Sequence, residues 1–152
     1  MLRCEKGRRM DTQTLRKQHD EIGETSEALI NAIITRDRLE VAKSRWRLAR
    51  VLIAHLAIED KWLYPALIRD GSPRASTMAL NFQREMGGLA AAFNAYMLEW
   101  SEDRITNEWE AFQTATWALI EALDLRIRRE NDELYPLTEG ERTLTPSERR
   151  IA

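Results

Sequence analysis

The amino-acid sequence predicts an all-α fold, an up-down-up-down four-helix bundle. Four long segments carry apolar residues at three-and-four spacing, which is the pattern of a helix that buries one face. Short polar stretches separate these segments, so neighbouring helices are expected to run in opposite directions. No alternating apolar run bounded by turn residues indicates a β-strand. The chain has 152 residues, which is enough for one domain whose core folds without disulfides or metal.

The first predicted helix pair, helices A and B, covers the chain as far as Gly71. Helix A runs from Asp11 to about Thr35. Its predicted inward residues are Leu15, His19, Ile22, Leu29 and Ile33. A polar hinge at residues 36–38 leads into helix B, which ends at Asp70-Gly71. The predicted inward residues of helix B are Leu48, Leu52, His55, Glu59 and Trp62.

The second predicted pair, helices C and D, follows directly. Ser72 is the expected N-cap of helix C, with Pro73 in the first turn, and the helix runs to about Trp100. Its inward residues are Phe82, Met86, Leu89, Phe93, Met97 and Trp100. A polar loop over residues 101–107 precedes helix D, which ends at Gly140. The inward residues of helix D are Phe112, Leu119, Leu123, Arg126, Glu130, Leu134 and Leu137.

The predicted domain boundaries leave a short tail at each end. Residues 1–10 form a basic N-terminal tail, residues 11–139 form the bundle, and residues 140–152 form a C-terminal tail. In that second tail, Thr145-Pro146-Ser147-Glu148 has the spacing of a capping box, which predicts a short helical turn.

Composition excludes several classes of partner. With 23 basic and 25 acidic residues and a net charge of -2, nothing marks the surface for nucleic acid, and no apolar run is long enough to span a membrane. The single cysteine, Cys4, has no partner for a disulfide, and the start of the chain lacks the apolar core of a secretory signal. We therefore expect a soluble cytoplasmic protein, for which a protein partner or a homodimer remains open.

The chemistry of the chain is concentrated in an internal repeat. The segment from His55 to Pro65 is repeated seventy-one residues later by the segment from Arg126 to Pro136. His55 and Glu59 are four residues apart, so on a helix they can reach one ion together, and imidazole and carboxylate groups suit iron, manganese or zinc. Arg126 and Glu130 have the same spacing, but a guanidinium cannot coordinate a cation.

A lone histidine on helix A, His-x-x-x-Glu followed by Leu-Tyr-Pro on helix B, and a matching helix D resemble the hemerythrin family of HHE cation-binding domains. The resemblance covers roughly Thr14 to Thr138. It implies two irons bridged by oxygen, with carboxylates from helices B and D between them and histidines from all four helices as terminal ligands. Carried onto this sequence, it implies that one iron is bound by His19, His55, Glu59 and Glu130.

Two positions depart from the family pattern. Met86 follows Glu85 on helix C where the family usually has a histidine, and Arg126 stands at the histidine position of helix D. A second iron would have no imidazole ligand and would face a fixed positive charge. The sequence therefore argues against a di-iron oxygen binder and indicates a degenerate metal site.

Three arrangements of the polar residues remain open at this point. One divalent ion, iron or alternatively zinc or manganese, binds the four candidate ligands beside Arg126. Alternatively, Arg126 replaces the metal and forms a buried salt bridge with Glu59 and Glu130. In the third arrangement, Arg126 extends to the surface. The first two are favoured, because unpaired charges in a core are strongly unfavourable.

The expected function follows from this asymmetric site. We expect a non-enzymatic hemerythrin-like protein that acts as a sensor or regulatory bundle with at most one metal ion, and it has no catalytic residues. A metal-free protein-interaction bundle is the alternative hypothesis. A mononuclear iron enzyme of the oxidative kind is a third hypothesis, for which the sequence offers no acid–base pair.

Several further side chains are assigned to packing or to solvent. The tryptophans expected in the core or at a bundle end are Trp62, Trp100 and Trp117, while those expected to be partly exposed, on a candidate partner surface, are Trp46 and Trp109. The basic residues expected on a solvated face are Lys43, Arg45, Arg47 and Arg50. The two Tyr-Pro pairs are assigned to bundle-end packing, with a hydroxyl available for hydrogen bonding.

Overall fold

The computed structural model describes residues 12–140, and these residues form helices joined by short turns. The predicted all-α fold is confirmed. The N-terminal tail and residues 141–152, including the predicted capping-box turn, lie outside the described residues. Among residues 12–140, no helix is both long enough and apolar enough to cross a membrane.

Each predicted helix corresponds to one or more observed elements. Helix A is α1, Thr12–Ile34. Helix B comprises α2 (Arg38–Ile58), a π-helical turn (Glu59–Leu63) and α3 (Tyr64–Asp70). Helix C comprises α4, Pro73–Met86, and α5, Leu89–Glu99. Between C and D lies α6, Glu102–Asn107. Helix D comprises α7 (Trp109–Arg129), a second π turn (Glu130–Leu134) and α8 (Tyr135–Gly140).

The helix boundaries follow from capping residues. The Asp37 side chain accepts a hydrogen bond from the Glu40 backbone N–H at 3.0 Å and so begins α2. Ser72 caps α4 in the same way, through the Ala75 backbone N–H at 3.2 Å, with Pro73 at the first helical position. The predicted N-cap and the predicted end of helix B at Asp70-Gly71 are therefore confirmed.

Two features differ from the prediction. Residues 101–107 are not a loop, because Ser101 caps a short helix through the backbone N–H of Arg104 at 3.2 Å and Ile105 is buried against the core. Six residues are too few for a periodic pattern to reveal a helix. Helix C is also interrupted between α4 and α5 by a turn at Gly87-Gly88, since glycine is a poor helix former.

Both π turns occur directly before a Tyr-Pro pair. The backbone N–H of Tyr64 bonds to the carbonyl of Glu59, and that of Tyr135 bonds to the carbonyl of Glu130. A proline ring clashes with the carbonyl four residues earlier in an α-helix, and a wider turn relieves that clash. The internal repeat of the sequence is therefore also a repeat of backbone geometry.

The wider turn explains why Trp62 is not in the core. In an unbroken α-helix, Trp62 would follow His55 and Glu59 on the inward stripe. The π turn adds one residue, so Leu63 is buried in that place and Trp62 is 61% exposed. The expectation of a buried Trp62 was therefore wrong.

The other tryptophans and the basic run also need correction. Trp100 is buried and Trp46 is exposed, as predicted, but Trp117 is 43% exposed and Trp109 is buried against Phe112. Trp109 precedes Phe112 by three residues and so shares its inward face. Among the basic residues expected in solvent, Arg45 is buried, because its side chain reaches the carbonyl of Trp100.

Two apolar clusters fix the direction of the helices. The large cluster includes Ile22, Leu29, Leu48, Leu56, Phe93, Phe112 and Leu123, and the small cluster includes Leu15, Leu63, Leu67, Ala79, Phe82 and Leu134. The chain passes from the small to the large cluster along α1, back along α2 and α3, forward along α4 and α5, and back along α7 and α8. Since α1 and α5 each contact both α2 and α7, the four long elements form an up-down-up-down bundle.

The Ser72 cap provides a test of the break between helices B and C. Ser72→Ala should lower the free energy of unfolding by about 1 kcal/mol, because the Ala75 N–H loses its acceptor at the start of α4. Urea denaturation measures this difference. Thr77→Ala, at an exposed position of the same helix, is the matched control and should change the free energy by less than about 0.5 kcal/mol. Equal effects from the two substitutions would contradict a capping role.

Candidate metal centre

The four candidate ligands come together between the two apolar clusters. His19 lies on α1, His55 on α2, Glu59 at the start of the first π turn and Glu130 at the start of the second. Each is at most 3% exposed. One ligand atom from each of the four lies within 4.8 Å of the others. The structure therefore assembles the set of residues that the sequence singled out.

Both imidazoles direct their Nε2 atoms towards the centre of this group. His19 Nε2 lies 3.0 Å from His55 Nε2 and 3.3 Å from Glu130 Oε2. His55 Nε2 lies 3.2 Å from Glu59 Oε2. Two nitrogens and two carboxylate oxygens thus converge on one small volume.

Amide side chains hold the outer nitrogens of the two rings. His19 Nδ1 lies 2.9 Å from Asn131 Oδ1, and His55 Nδ1 lies 2.8 Å from Gln18 Oε1. With these oxygens as acceptors, each Nδ1 carries a proton and donates it, which leaves a lone pair on each neutral Nε2. In this tautomer the two lone pairs, 3.0 Å apart, would repel each other, and a proton or a metal ion between them would relieve the repulsion.

Arg126 occupies the other half of the centre. It is 1% exposed. Its Nε donates to Glu130 Oε1 at 2.7 Å, and its Nη2 donates to Glu59 Oε2 at 3.0 Å. Nη2 also lies 3.0 Å from Asp60 Oδ1, and Nη1 donates to the backbone carbonyl of Met86 at 3.3 Å. The arrangement in which Arg126 extends to the surface is therefore wrong, because two buried carboxylates hold it in the core.

Two tyrosine hydroxyls complete the network. Tyr64 donates to Glu130 Oε1 at 2.5 Å, and Tyr135 donates to Glu59 Oε1. Each tyrosine thus binds the carboxylate of the other repeat. Burial raises the pKa of both hydroxyls, and the neighbouring carboxylates raise it further, so both remain protonated donors.

The sequence assigned these tyrosines to bundle-end packing and did not identify their part in the site. Their presence at the same position of both repeats was the available signal. The supporting roles of Gln18 and Asn131 were also missed, although each is the immediate sequence neighbour of a candidate ligand. Side-chain direction cannot be obtained from adjacency alone.

The charges of the network shift its pKa values in a consistent way. Burial opposes ionisation of Glu59, but its contact with His55 and the charge of Arg126 lower its pKa to about 2. Burial also opposes the charged form of His19, but contacts with Glu130 and Asn131 raise its pKa above 6.5. The pKa of Arg126 is raised by Glu130 and Glu59 in spite of burial, so this side chain is a permanent cation.

One metal ion fits this donor set, whereas two do not. Glu130 Oε2 is buried and has no hydrogen-bond partner, which leaves an acceptor facing the two imidazole lone pairs. Two imidazole nitrogens and two carboxylate oxygens are suitable ligands for iron, zinc or manganese. On the other side of the carboxylates, the guanidinium takes the place that a second ion would need. The residues that would hold the single ion are His19, His55, Glu59 and Glu130.

Comparison with known protein families gives one result. The family model described as the Hemerythrin HHE cation binding domain matches residues 5–138, which is most of the chain. No curated protein and no solved structure matches the chain.

The buried network predicts a large effect of removing the guanidinium. Arg126→Ala should lower the free energy of unfolding by about 3–5 kcal/mol, because it leaves two buried carboxylates without their cation. Urea denaturation in the presence of a chelator measures the loss. Arg128→Ala, two residues away and exposed, is the matched control and should change stability by less than about 0.5 kcal/mol. A nearly neutral Arg126→Ala would show that the guanidinium does not stabilise the carboxylates.

The lowered pKa of Glu59 predicts how the free energy of unfolding depends on pH when the protein is prepared with a chelator. The folded-state pKa of about 2 lies below the ordinary value of 4.5, so the contribution of this carboxylate to stability is complete above pH 4.5 and is lost as the pH falls towards 2. Urea unfolding measured over this interval should give a shallower pH dependence for Glu59→Gln than for the unchanged chain. Glu121→Gln, at an exposed position, should leave the dependence unaltered. An unchanged slope in Glu59→Gln would contradict the depressed pKa.

Proposed function

The chain belongs to the hemerythrin HHE cation-binding domain family, and we propose that it is a non-enzymatic sensor or regulatory bundle that holds a single transition-metal ion. The observation that carries this proposal is the convergence of two histidine Nε2 atoms, 3.0 Å apart, beside the unpartnered Glu130 Oε2. Iron is the metal expected first, because it is typical of the family, and zinc and manganese suit the same ligands. Bound there, the ion would supply the positive charge that these four residues lack.

Charge balance supports one ion in place of two. Glu59 and Glu130 carry two negative charges, and Arg126 neutralises one of them. Without metal, the remaining negative charge can be balanced by a protonated histidine. One divalent ion would leave a charge of +1, which the carboxylate of Asp60, 3.0 Å from Arg126 Nη2, would offset. The raised pKa of His19 agrees with a protonated histidine in the absence of metal. The centre can therefore exchange a metal ion for a proton while Arg126 stays in place.

Burial supports a role other than catalysis. The four candidate ligands are almost fully enclosed, between apolar clusters on both sides. Two surface cavities of the described residues, one beside Arg45 and one beside Phe82, are lined by none of the four. A substrate would have to open the bundle to reach the centre, whereas a small ion or a proton would not.

The π turns support a regulatory role. Glu59 and Glu130 each begin a π turn, and such turns are frequent at functional sites. A bound ion would connect both turns to α1 and α2 through the histidines. Loss of the ion would remove the link between the two π turns and the histidines of α1 and α2. The helices that follow the turns, α3 and α8, could then shift, and a partner could detect that shift.

The alternative function is a metal-free interaction bundle. The contacts of Arg126 with both buried carboxylates favour it, since a guanidinium can replace the charge of a metal ion. In that case a proton shared between the imidazoles balances the remaining charge permanently. The two functions differ in whether any ion binds at all.

Metal content distinguishes them. Protein purified from cells supplemented with iron, zinc and manganese should contain close to one ion per chain by elemental analysis, and chelation should lower its melting temperature. His55→Ala should lose the ion, because one of the two imidazoles is gone. Two ions per chain would overturn the single-ion centre, and a metal-free protein whose melting temperature is unaffected by chelation would establish the alternative.

The amide partners of the histidines provide a finer test. Gln18→Ala leaves all four ligands intact but removes the acceptor of His55 Nδ1–H. Metal affinity should fall by roughly 10- to 100-fold, as is usual for the loss of such a partner. Competition with a chelating dye measures the affinity. Lys17→Ala, an exposed change one residue earlier, should leave it unaltered, and equal affinities in the two variants would contradict a ligand role for His55.

A further inference from the structure

A second buried arginine lies far from the metal centre, in the wall of a cavity. The cavity has a volume of about 540 Å³ and lies between α2, the end of α5 and α6. Arg45 of α2 lines it and is only 5% exposed. It precedes His55 by ten residues, which is about 15 Å along a helix, so this cavity is separate from the four candidate ligands.

The contacts of Arg45 leave its charge unbalanced. Its Nη2 donates to the backbone carbonyl of Trp100 at 2.9 Å, and its guanidinium lies over the rings of Tyr96 and Phe112 at 5.2 and 5.5 Å. Its Nε is buried and has no hydrogen-bond partner. Within residues 12–140, no carboxylate forms an ion pair with it. A buried cation without a direct ion pair is unfavourable, and an anion bound in the cavity would supply one.

Helix capping accounts for only part of this arrangement. Trp100 is the C-cap of α5, and a cation at the end of a helix is stabilised by the helix dipole. That dipole corresponds to about half of an elementary charge, so it does not neutralise a guanidinium. The Trp100 carbonyl also satisfies only one of the five N–H groups of the side chain. The enclosed Nε is closed to a ligand, so an anionic oxygen would bind a terminal nitrogen of the guanidinium.

The remaining wall of the cavity indicates what kind of anion fits. Trp46 and Leu39 are 69% and 66% exposed and form an apolar wall that no described residue covers. Arg38 adds a second cation, whereas Glu102 and Asp103 add two negative charges. These acidic side chains disfavour a multiply charged phosphate. The four charges sum to zero, so the fit of a single carboxylate is local: it can pair with Arg45 while an apolar body lies on the wall. The volume lies within the usual range for small-molecule sites.

We propose that this cavity binds a small organic monocarboxylate, whose carboxylate pairs with Arg45 and whose apolar body packs on Trp46 and Leu39. The site is independent of metal binding, because none of its lining residues belongs to the metal centre. It therefore adds a ligand-binding function at the α6 end of the bundle.

The first test uses the full chain labelled with ¹⁵N, in the presence of a chelator. Titration with 3-phenylpropanoate or hexanoate should give saturable shifts of the indole N–H signals of Trp46 and Trp100. The neutral 3-phenylpropanamide and inorganic phosphate should bind at least about tenfold more weakly, because one lacks the charge and the other lacks the apolar body. No saturable shift with either carboxylate, or equal or tighter binding of the amide or of phosphate, would overturn the proposal.

Variants then identify the residue that binds the carboxylate. Arg45→Met keeps much of the side-chain volume but removes the charge, and should weaken binding of 3-phenylpropanoate by about 10- to 100-fold. Arg47→Met, exposed on the same helix and outside the cavity, should bind as the unchanged chain does. If Arg45→Met does not fold, Trp46→Ala at its exposed position should still weaken binding several-fold. Undiminished binding in Arg45→Met, or in Trp46→Ala where that variant is the one measured, would contradict the proposed site.

Discussion

The guanidinium of Arg126 holds two carboxylates from different helices at one level of the core. Glu59 and Glu130 would repel each other there, since little water reaches either of them to screen their charges. Arg126 Nε and Nη2 donate to one carboxylate each. Each carboxylate also accepts a hydrogen bond from a tyrosine hydroxyl of the opposite repeat, Glu59 from Tyr135 and Glu130 from Tyr64. The whole polar layer depends on this arrangement, because without the cation at least one carboxylate would have to take up a proton or leave the core.

The polar layer formed by His19, His55, Glu59, Arg126 and Glu130 divides the core into two unequal apolar clusters. The two halves of this layer differ in the source of their positive charge. In one half the positive charge is covalently attached to the chain and cannot leave. In the other half the two imidazole Nε2 atoms and Glu130 Oε2 converge on a place where one exchangeable cation would fit. The proposed sensor role rests on this difference between a fixed and an exchangeable charge. The same asymmetry opposes the two-ion chemistry that the complete ligand pattern would support.

The two buried arginines differ in function because their charges have different partners. Arg126 meets two carboxylates and is satisfied within the chain. Arg45 meets one backbone carbonyl and two aromatic rings, and it faces a cavity with an apolar wall. Both are buried on long helices, but only Arg45 lines a cavity. Arg126 therefore acts as a structural cation, whereas Arg45 is available to a ligand.

The sequence by itself determined the four long helices, the boundary at Ser72 and most of the residues that each helix buries, since these depend on local spacing and on capping residues. It did not reveal the short helix α6, the break at Gly87-Gly88 or the exposure of Trp62 and Trp117. It also determined that His19, His55, Glu59, Arg126 and Glu130 share the core, because all five fall on inward stripes. Only the tertiary structure decided which atoms of these residues meet, and that Tyr64, Tyr135, Gln18 and Asn131 support them. Periodicity reports the direction of a side chain from its own helix and contains no information about the atoms that another helix presents to it. The π turns and the burial of Arg45 were hidden for the same reason: the first depends on a five-residue hydrogen bond before proline, and the second on a carbonyl fifty-five residues away.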